Sequence, residues 1–369
     1  MVRKIGGSHV VWFHESNRWV EFREPAWVVY RSLIKGEKEP ATTRLLGQRY
    51  GLPPSEARRF YNEIAGAIKE SENKAEPSAR PGPAKQKQSA GPFPSGPARQ
   101  RTKTRRYSAN SKTFSITYGS PAAEYYLHRP LAHLETDNDG STELSLMAED
   151  NDDDPGMLKH KVYNAICNHI HGMNEKEWMC HIHASALTDG SSAVLLPSAS
   201  GSGKSTMAAI LQLANGKNLY FMSDDFIPVS AGTLKAYPFP AAISIKEGSS
   251  AMLAPFYDPA GDADASYSAP AGKKERYLRP RFPERDPFAP RPVTAMVFLQ
   301  YGRENGFRME KMDTLSALEA FHREAWVSQN PVHAEKFIDW FVSLDFYRLA
   351  FTDSGRAAAA IRNLFKNLS

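Results

Sequence analysis

The sequence predicts an α/β protein in two parts: a small α+β unit, then a larger α/β unit built around a glycine loop. Three observations carry that reading. Residues 8–70 hold two short aromatic runs followed by three helical patterns. Residues 71–112 are rich in proline and positive charge and almost devoid of large apolar side chains. Residues 193–213 run from an apolar strand through Ser198-Ala199-Ser200-Gly201-Ser202-Gly203-Lys204-Ser205-Thr206 into a helix. At 369 residues the chain has room for two domains. They are expected at 1–70 and 113–369, with 71–112 as a disordered basic, Pro-rich linker.

Composition narrows the class further. With 41% hydrophobic and 24% charged residues the chain can bury a sizeable core. No run approaches the roughly 18 apolar residues that span a bilayer, and the opening Met-Val-Arg-Lys-Ile-Gly-Gly-Ser has no signal-peptide core. Two cysteines, Cys167 and Cys180, argue against a disulfide-stapled secreted domain. A cytoplasmic protein without a membrane partner is expected. The net charge of +5 belongs to one segment: residues 71–112 carry +8, leaving −3 for the remainder. Its six prolines, with only Phe93 and Tyr107 as large apolar residues, suit a solvated spacer. The alternative is a basic arm that attracts an acidic peptide, nucleic acid or lipid headgroups.

The first unit begins with His9–His14 and Arg18–Phe22, strand-like runs around Glu15-Ser16-Asn17, a hairpin signal. Pro25 opens a helix that spaces Trp27, Val28, Tyr30, Leu33 and Ile34 along one face and ends at Lys35-Gly36. A second helix is expected at about 40–50, closed by Gly51. A third starts at Pro54-Ser55 and buries Phe60, Ile64, Ala67 and Ile68. The stretch Ala26-Trp27-Val28-Val29-Tyr30…Leu33…Gly36, with Tyr50-Gly51-Leu52-Pro53 and the helix after it, resembles the PqqD-like domains. These bind leader peptides of ribosomally made, modified peptides by adding an extended strand to a sheet edge. The resemblance covers about 60 residues and implies a peptide partner for residues 1–70. A winged-helix module that binds DNA, or merely packs on a neighbour, is the alternative. It is disfavoured because the helices lack a face studded with Arg and Lys.

In the second unit Phe114–Tyr118, Tyr125–His133 and Thr142–Met147 read as strands. The acidic turn 149–154 lacks the glycine and spacing of a calcium loop. A helix at about 157–171 follows, burying Leu158, Val162, Ile166 and Ile170. Trp178–Leu187 alternates like a strand, Asp189-Gly190 turns, and Ala193–Pro197 is a fully apolar strand. Farther on, Val293–Tyr301 is expected as a strand, Leu315–Trp326 and Ala334–Val342 as helices, Phe346–Phe351 as a strand and Gly355–Leu368 as a closing helix.

The loop at 198–206 has the order that phosphate binding demands. Glycines let backbone N–H groups curl around phosphate oxygens, and the helix N-terminus adds partial positive charge. In such loops the lysine, here Lys204, reaches the β- and γ-phosphates and the following hydroxyl, Ser205, completes a Mg²⁺ shell. Ser200, Gly201, Ser202, Gly203 and Thr206 complete the candidate nucleotide site. The pattern departs at Ser198, where glycine is expected. A loop that binds no nucleotide is the alternative. After it, the apolar strand Leu219–Met222 ends in Ser223-Asp224-Asp225, two carboxylates where a Mg²⁺ ligand and a base belong. They could also simply cap a turn.

A strand with His183, a turn, an apolar strand, a loop ending Gly201-Ser202-Gly203-Lys204-Ser205 and an apolar strand ending Asp224-Asp225 are similar to the catalytic domain of HPr kinase/phosphorylase. The match spans about 50 residues, and Pro238-Phe239-Pro240…Ser244–Ser249 is similar to HPr-kinase-related proteins found with peptide-modification clusters. The resemblance implies an ATP- and Mg²⁺-dependent kinase. Lys204 and Ser205 would hold phosphates and metal. Asp224 and Asp225 would supply base and metal contact, with Ser205 and Asp225 as the metal pair, and His183 would join the proton-transfer network. Thr206 stands where the family typically has Glu, and the family's arginine-glycine signature is missing. Phosphorolysis and HPr itself as substrate are weakened accordingly.

Zinc is a lesser reading of Cys167, His169, His171, Cys180, His181 and His183, because on a strand Cys180 points away from the other two. Arg276, Arg279 and Arg281 are candidates for a phosphate clamp or a solvated basic loop. The expected function is phosphoryl transfer to a Ser or Thr hydroxyl of a peptide or protein, such as a ribosomal precursor. The rivals are a kinase for a small hydroxylated metabolite and an ATP-sensing, DNA-binding regulator. A homo-oligomer is compatible with either.

Overall fold

The computed structural model describes residues 1–73, 102–137, 143–149, 155–199, 201–213, 219–253, 263–268, 274–302 and 304–368. The protein is mixed α/β and divides into two compact units. One comprises Met1–Ala79 with Val327–Val342; the other comprises Arg80–Trp326 with Ser343–Ser369. Among the described residues no helix is long and apolar enough to cross a membrane.

The first unit opens with β1 (Val2–Ile5), β2 (Ser8–Phe13) and β3 (Arg18–Phe22), an antiparallel sheet in that order. Three helices follow: α1 (Ala26–Ile34), α2 (Glu39–Tyr50) and α3 (Pro54–Glu72). Gly51 ends α2 at φ 70°, its N–H returning to the Gly47 carbonyl at 2.9 Å. The pleat sorts the sheet's side chains. Val11, Phe13 and Phe22 meet Tyr30 and Ile68 on the helical face. Val10 and Trp12 are buried on the other face, where Trp12 lies opposite Trp19. Trp19 packs on Phe337 of the helix Pro331–Val342, ring centroids 5.4 Å apart. Arg3 pairs with Asp339 at 2.6 Å, and Asn17 Nδ2 donates to the Val327 carbonyl at 2.7 Å.

The expected division at 1–70, 71–112 and 113–369 differs from this in two respects. Residues 327–342, read as part of the second domain, group with the first because they cover the Trp19 face of its sheet. Lys103–Ala109, read as linker, is strand β4. Tyr107 and Ala109 are buried at its C-terminal end, and backbone pairing with the next strand orders it despite the charge of Lys103, Arg105 and Arg106. Residues 74–101 of the linker lie outside the described residues.

The second unit starts with β4, β5 (Lys112–Tyr118), α4 (Pro121–Leu131), β6 (Leu144–Ala148) and α5 (Pro155–His171). β5 pairs β4 antiparallel and β6 parallel. α4 replaces the strand expected at Tyr125–His133. Ser120 caps it, accepting the Ala123 N–H at 3.0 Å, and Pro121 starts the first turn, so the end signals override aromatic content. The acidic turn falls largely at residues 150–154, outside the described residues.

Then come β7 (Trp178–Ile182), β8 (Ala184–Thr188), β9 (Ala193–Pro197), α6 (Lys204–Leu213), β10 (Tyr220–Asp224), β11 (Ile227–Ser230) and β12 (Lys235–Ala236). A side sheet holds β13 (Ile243–Lys246), β14 (Ala263–Ser268) and β15 (Lys274–Leu278), with α7 (Ser250–Leu253) after β13. The unit continues with β16 (Arg291–Tyr301), β17 (Phe307–Lys311), α8 (Thr314–Phe321) and β18 (Ala325–Val327). After the helix Pro331–Val342, which is α9, come β19 (Asp345–Phe351) and α10 (Ser354–Leu368). The main sheet runs β10-β8-β9-β16-β12-β11-β7-β18, with β19 beside β16 and β17 beside β19. Strand β9, wholly buried, lies antiparallel to β8 and parallel to β16. α6 and α10 bury Met207, Ile210 and Ile361 with Leu196, Val297 and Leu349. α5 joins a second core with Phe114, Trp178, Phe226 and Phe239.

Candidate active site

Strand β9 delivers the glycine loop, and α6 begins at Lys204. Gly201 and Gly203 lie at φ 89° and 94°, where an L side chain is strained, so glycine is required at both. Ser200 lies outside the described residues. Ser198 has a structural reason to replace glycine. Its buried Oγ accepts the Leu299 N–H at 2.7 Å and fastens β9 to β16. Ser202 Oγ is buried without a hydrogen-bond partner among the described residues.

Lys204 is 6% exposed and folds back on its own loop, donating to the carbonyls of Ser198 and of Ala199, the latter at 3.3 Å. Burial holds its ammonium below the usual lysine range, against the pull of Asp225, Glu324 and Asp224. Thr206 is turned elsewhere: its hydroxyl donates to Ser249 Oγ at 2.9 Å, tying α6 to the turn after β13.

The Asp pair ends β10, where register sets Asp224 opposite Ser185 of β8. The Ser185 hydroxyl hydrogen-bonds the Asp224 carboxylate, and the nearby Ser205 hydroxyl at the end of the glycine loop favours its charged form. Burial and the neighbouring Asp225 charge push Asp224 up to about 6. Asp225 adopts a left-handed backbone at φ 64°, unusual for a non-glycine residue, and its carboxylate faces two cations. Oδ1 is 3.2 Å from His183 Nε2 and Oδ2 is 3.4 Å from Lys159 Nζ. Burial alone would raise Asp225, but Lys159, His183 and Lys204 outweigh it and hold the carboxyl well below its ordinary range.

His183 occupies the single residue between β7 and β8, splitting the strand expected at Trp178–Leu187. There the chain passes from pairing with β11 to pairing with β9 and β10. The ring donates from Nδ1 to Glu324 Oε2 at 2.9 Å. Burial opposes its charge, but the flanking Asp225 and Glu324 carboxylates prevail and lift it to about 9. Lys159 of α5 is raised as well: burial acts against its charge, and Tyr163, Asp225, Tyr277 and Asp224 overcome it.

His183, Lys204, Ser205, Asp224 and Asp225 are therefore brought together as the sequence implied. Lys159, Glu324 and Ser185 join them without any sequence signal having singled them out. Asp225 faces His183 and Lys159 rather than Ser205, so the hydroxyl–carboxylate pair of the site is Ser205 with Asp224. Arg276, Arg279 and Arg281 have exposed side chains. The Arg279 carbonyl and the Arg281 N–H both bond the Gln212 amide. His169 and His171 donate to the Thr113 and Pro238 carbonyls at 3.0 and 2.8 Å. Cys167 and Cys180 are buried free thiols. Among the described residues no group of three or more His, Cys, Asp or Glu is placed to hold a metal ion.

No protein-family model matches the chain, and a comparison with curated proteins finds no match.

Proposed function

We propose that the protein is an ATP-dependent kinase that transfers the γ-phosphoryl group to a Ser or Thr hydroxyl of a peptide. The observation that carries this reading is the proximity of Ser205 to Asp224, which brings the glycine loop to the Asp pair. The unpartnered Ser202 hydroxyl and the left-handed glycines suit a loop that wraps an anion. The order of His183, the glycine loop and Asp224-Asp225 along the sequence, which resembles HPr kinase/phosphorylase, supports the same reading.

Ser205 and Asp224 would hold Mg²⁺, which when bound neutralises charge on the phosphates. Lys204 exchanges its loop carbonyls for phosphate oxygens. Asp225, kept ionised by His183 and Lys159, aligns the acceptor hydroxyl and takes its proton at a carboxylate oxygen. A weakly basic carboxylate suffices because the transition state of phosphoryl transfer is loose and the proton moves late. Metal pairing thus passes from the expected Asp225 to Asp224.

For the first unit we favour an extended peptide over nucleic acid. The outer edges of β1 and β3 carry no strand partner among the described residues. On α3, Arg58 pairs with Glu39 at 2.7 Å and Arg59 with Glu63 at 3.9 Å, which lowers the charge open to phosphates. Calorimetry with Mg-ATP tests the first part: wild type should bind and Lys204→Ala should not, and equal affinity would sink the kinase reading. Duplex DNA titrated at about 50 and 200 mM salt tests the second, since phosphate binding collapses over that range. Tight, sequence-selective DNA binding at the higher salt would favour the regulator.

A further inference from the structure

Glu324 lies in the turn between α8 and β18, 141 residues along the chain from His183. Its side chain is 13% exposed, so the carboxylate has lost most of its water. A buried carboxylate is costly unless a hydrogen-bonding or charged partner replaces that water. The His183 ring does so, and its main chain adds a second link to the same residue. Nδ1 donates to Glu324 Oε2 at 2.9 Å, and the His183 backbone N–H donates to the Glu324 carbonyl at 2.7 Å.

The double attachment matters because the outer torsion of a histidine is broad and nearly two-fold. A ring held by its main chain alone could flip, exchanging nitrogen for carbon at the position that faces Asp225. With Nδ1 anchored on Glu324, the opposite nitrogen, Nε2, is set 3.2 Å from Asp225 Oδ1. Lys159 holds the other oxygen from α5 at 3.4 Å.

We propose that Glu324 is a positioning residue, fixing the His183 ring so that Nε2 aims the Asp225 carboxylate at an acceptor hydroxyl. It acts through His183 and touches no substrate, as carboxylates that orient histidines do elsewhere. Its catalytic consequence rests on the phosphotransfer reading; its geometry does not.

The test uses the full chain with Glu324→Ala, Glu324→Met and Glu324→Gln. Glutamine keeps an acceptor for the Nδ1–H, whereas methionine fills a similar volume without one. In hydrolysis of Mg-ATP, with water as acceptor, the Ala and Met variants should lose about 10–100-fold in kcat. KM for ATP should stay within about twofold, and Gln should recover most of the rate. A second readout needs no turnover. The low-field Nδ1–H proton of His183 in the NMR spectrum should persist in wild type and Gln and vanish in Met and Ala. Persistence of that proton in Met, or a Gln variant no faster than Met, overturns the proposal. If Ala does not fold, Met and Gln decide. A wild type without turnover defeats the phosphotransfer reading, and the proton comparison alone then decides whether Glu324 fixes the ring.

Discussion

The Ser198 hydroxyl accepts the Leu299 backbone N–H at 2.7 Å, joining the strand that enters the glycine loop to its parallel neighbour. A glycine at 198 would match the phosphate-loop pattern better and serve this protein worse. Ser198→Gly leaves a buried N–H unsatisfied and adds backbone freedom to the unfolded chain. Denaturant unfolding should show a loss of about 2–3 kcal/mol; a gain in stability would refute this role for the hydroxyl.

The adjacent carboxylates should separate in mutant kinetics. Asp224→Asn should weaken Mg²⁺-dependent nucleotide binding, because Asp224 is the carboxylate beside Ser205. Asp225→Asn should keep nucleotide affinity and lose at least about 100-fold in turnover. Asparagine tolerates the left-handed backbone at 225, so the second variant should fold normally. Calorimetry and single-turnover rates on both proteins decide the matter, and a reversed pattern would exchange the two roles.

Stability should fall with alkaline pH through His183. Its folded value of about 9 lies above the unfolded 6.5, so the folded protein binds the proton more tightly. The contribution is complete below 6.5 and is lost as pH rises through 9. The steepest slope for one proton is about 1.4 kcal/mol per pH unit. Asp224, raised to about 6, has the same sign but acts between its unfolded value of 3.8 and that point. Chemical unfolding of metal-free protein from pH 6.5 to 9.5 should show the slope, and His183→Gln should flatten it.

In the first unit, Phe337 is 1% exposed and meets Trp19, so Phe337→Ala should cost about 3–5 kcal/mol. A fragment of residues 1–73 should melt lower than the same unit in the whole chain. A peptide of residues 327–342 added in trans should raise its melting temperature. No effect of that peptide would mean the sheet is stable without α9.

Local pattern made much of this legible. The hairpin of β2 and β3, helices α1 to α3, the glycine loop and the Asp pair all follow from signals a few residues long. Lys159 and Glu324 do not. They reach the site from 66 and 141 residues away, and nothing in their immediate sequence marks them as partners of Asp225 and His183. Glu324 was further obscured by the run 315–326, whose apolar spacing suggests one helix. The helix stops at Phe321, and Ala325–Val327 is a strand instead. The place of α9 was hidden likewise, because its amphipathic pattern predicts a buried face and says nothing about which sheet buries it.

The composition of the first unit also sets a timetable for its birth. Its helix α9 ends at Val342, whereas the last of its leading helices ends at Glu72. Translation proceeds at about 5–20 residues per second, and domains near the N-terminus usually fold as they emerge. This one must wait roughly 15–50 s more for the segment that covers Trp19. Through that interval the Trp19 ring lacks the Phe337 ring that covers it.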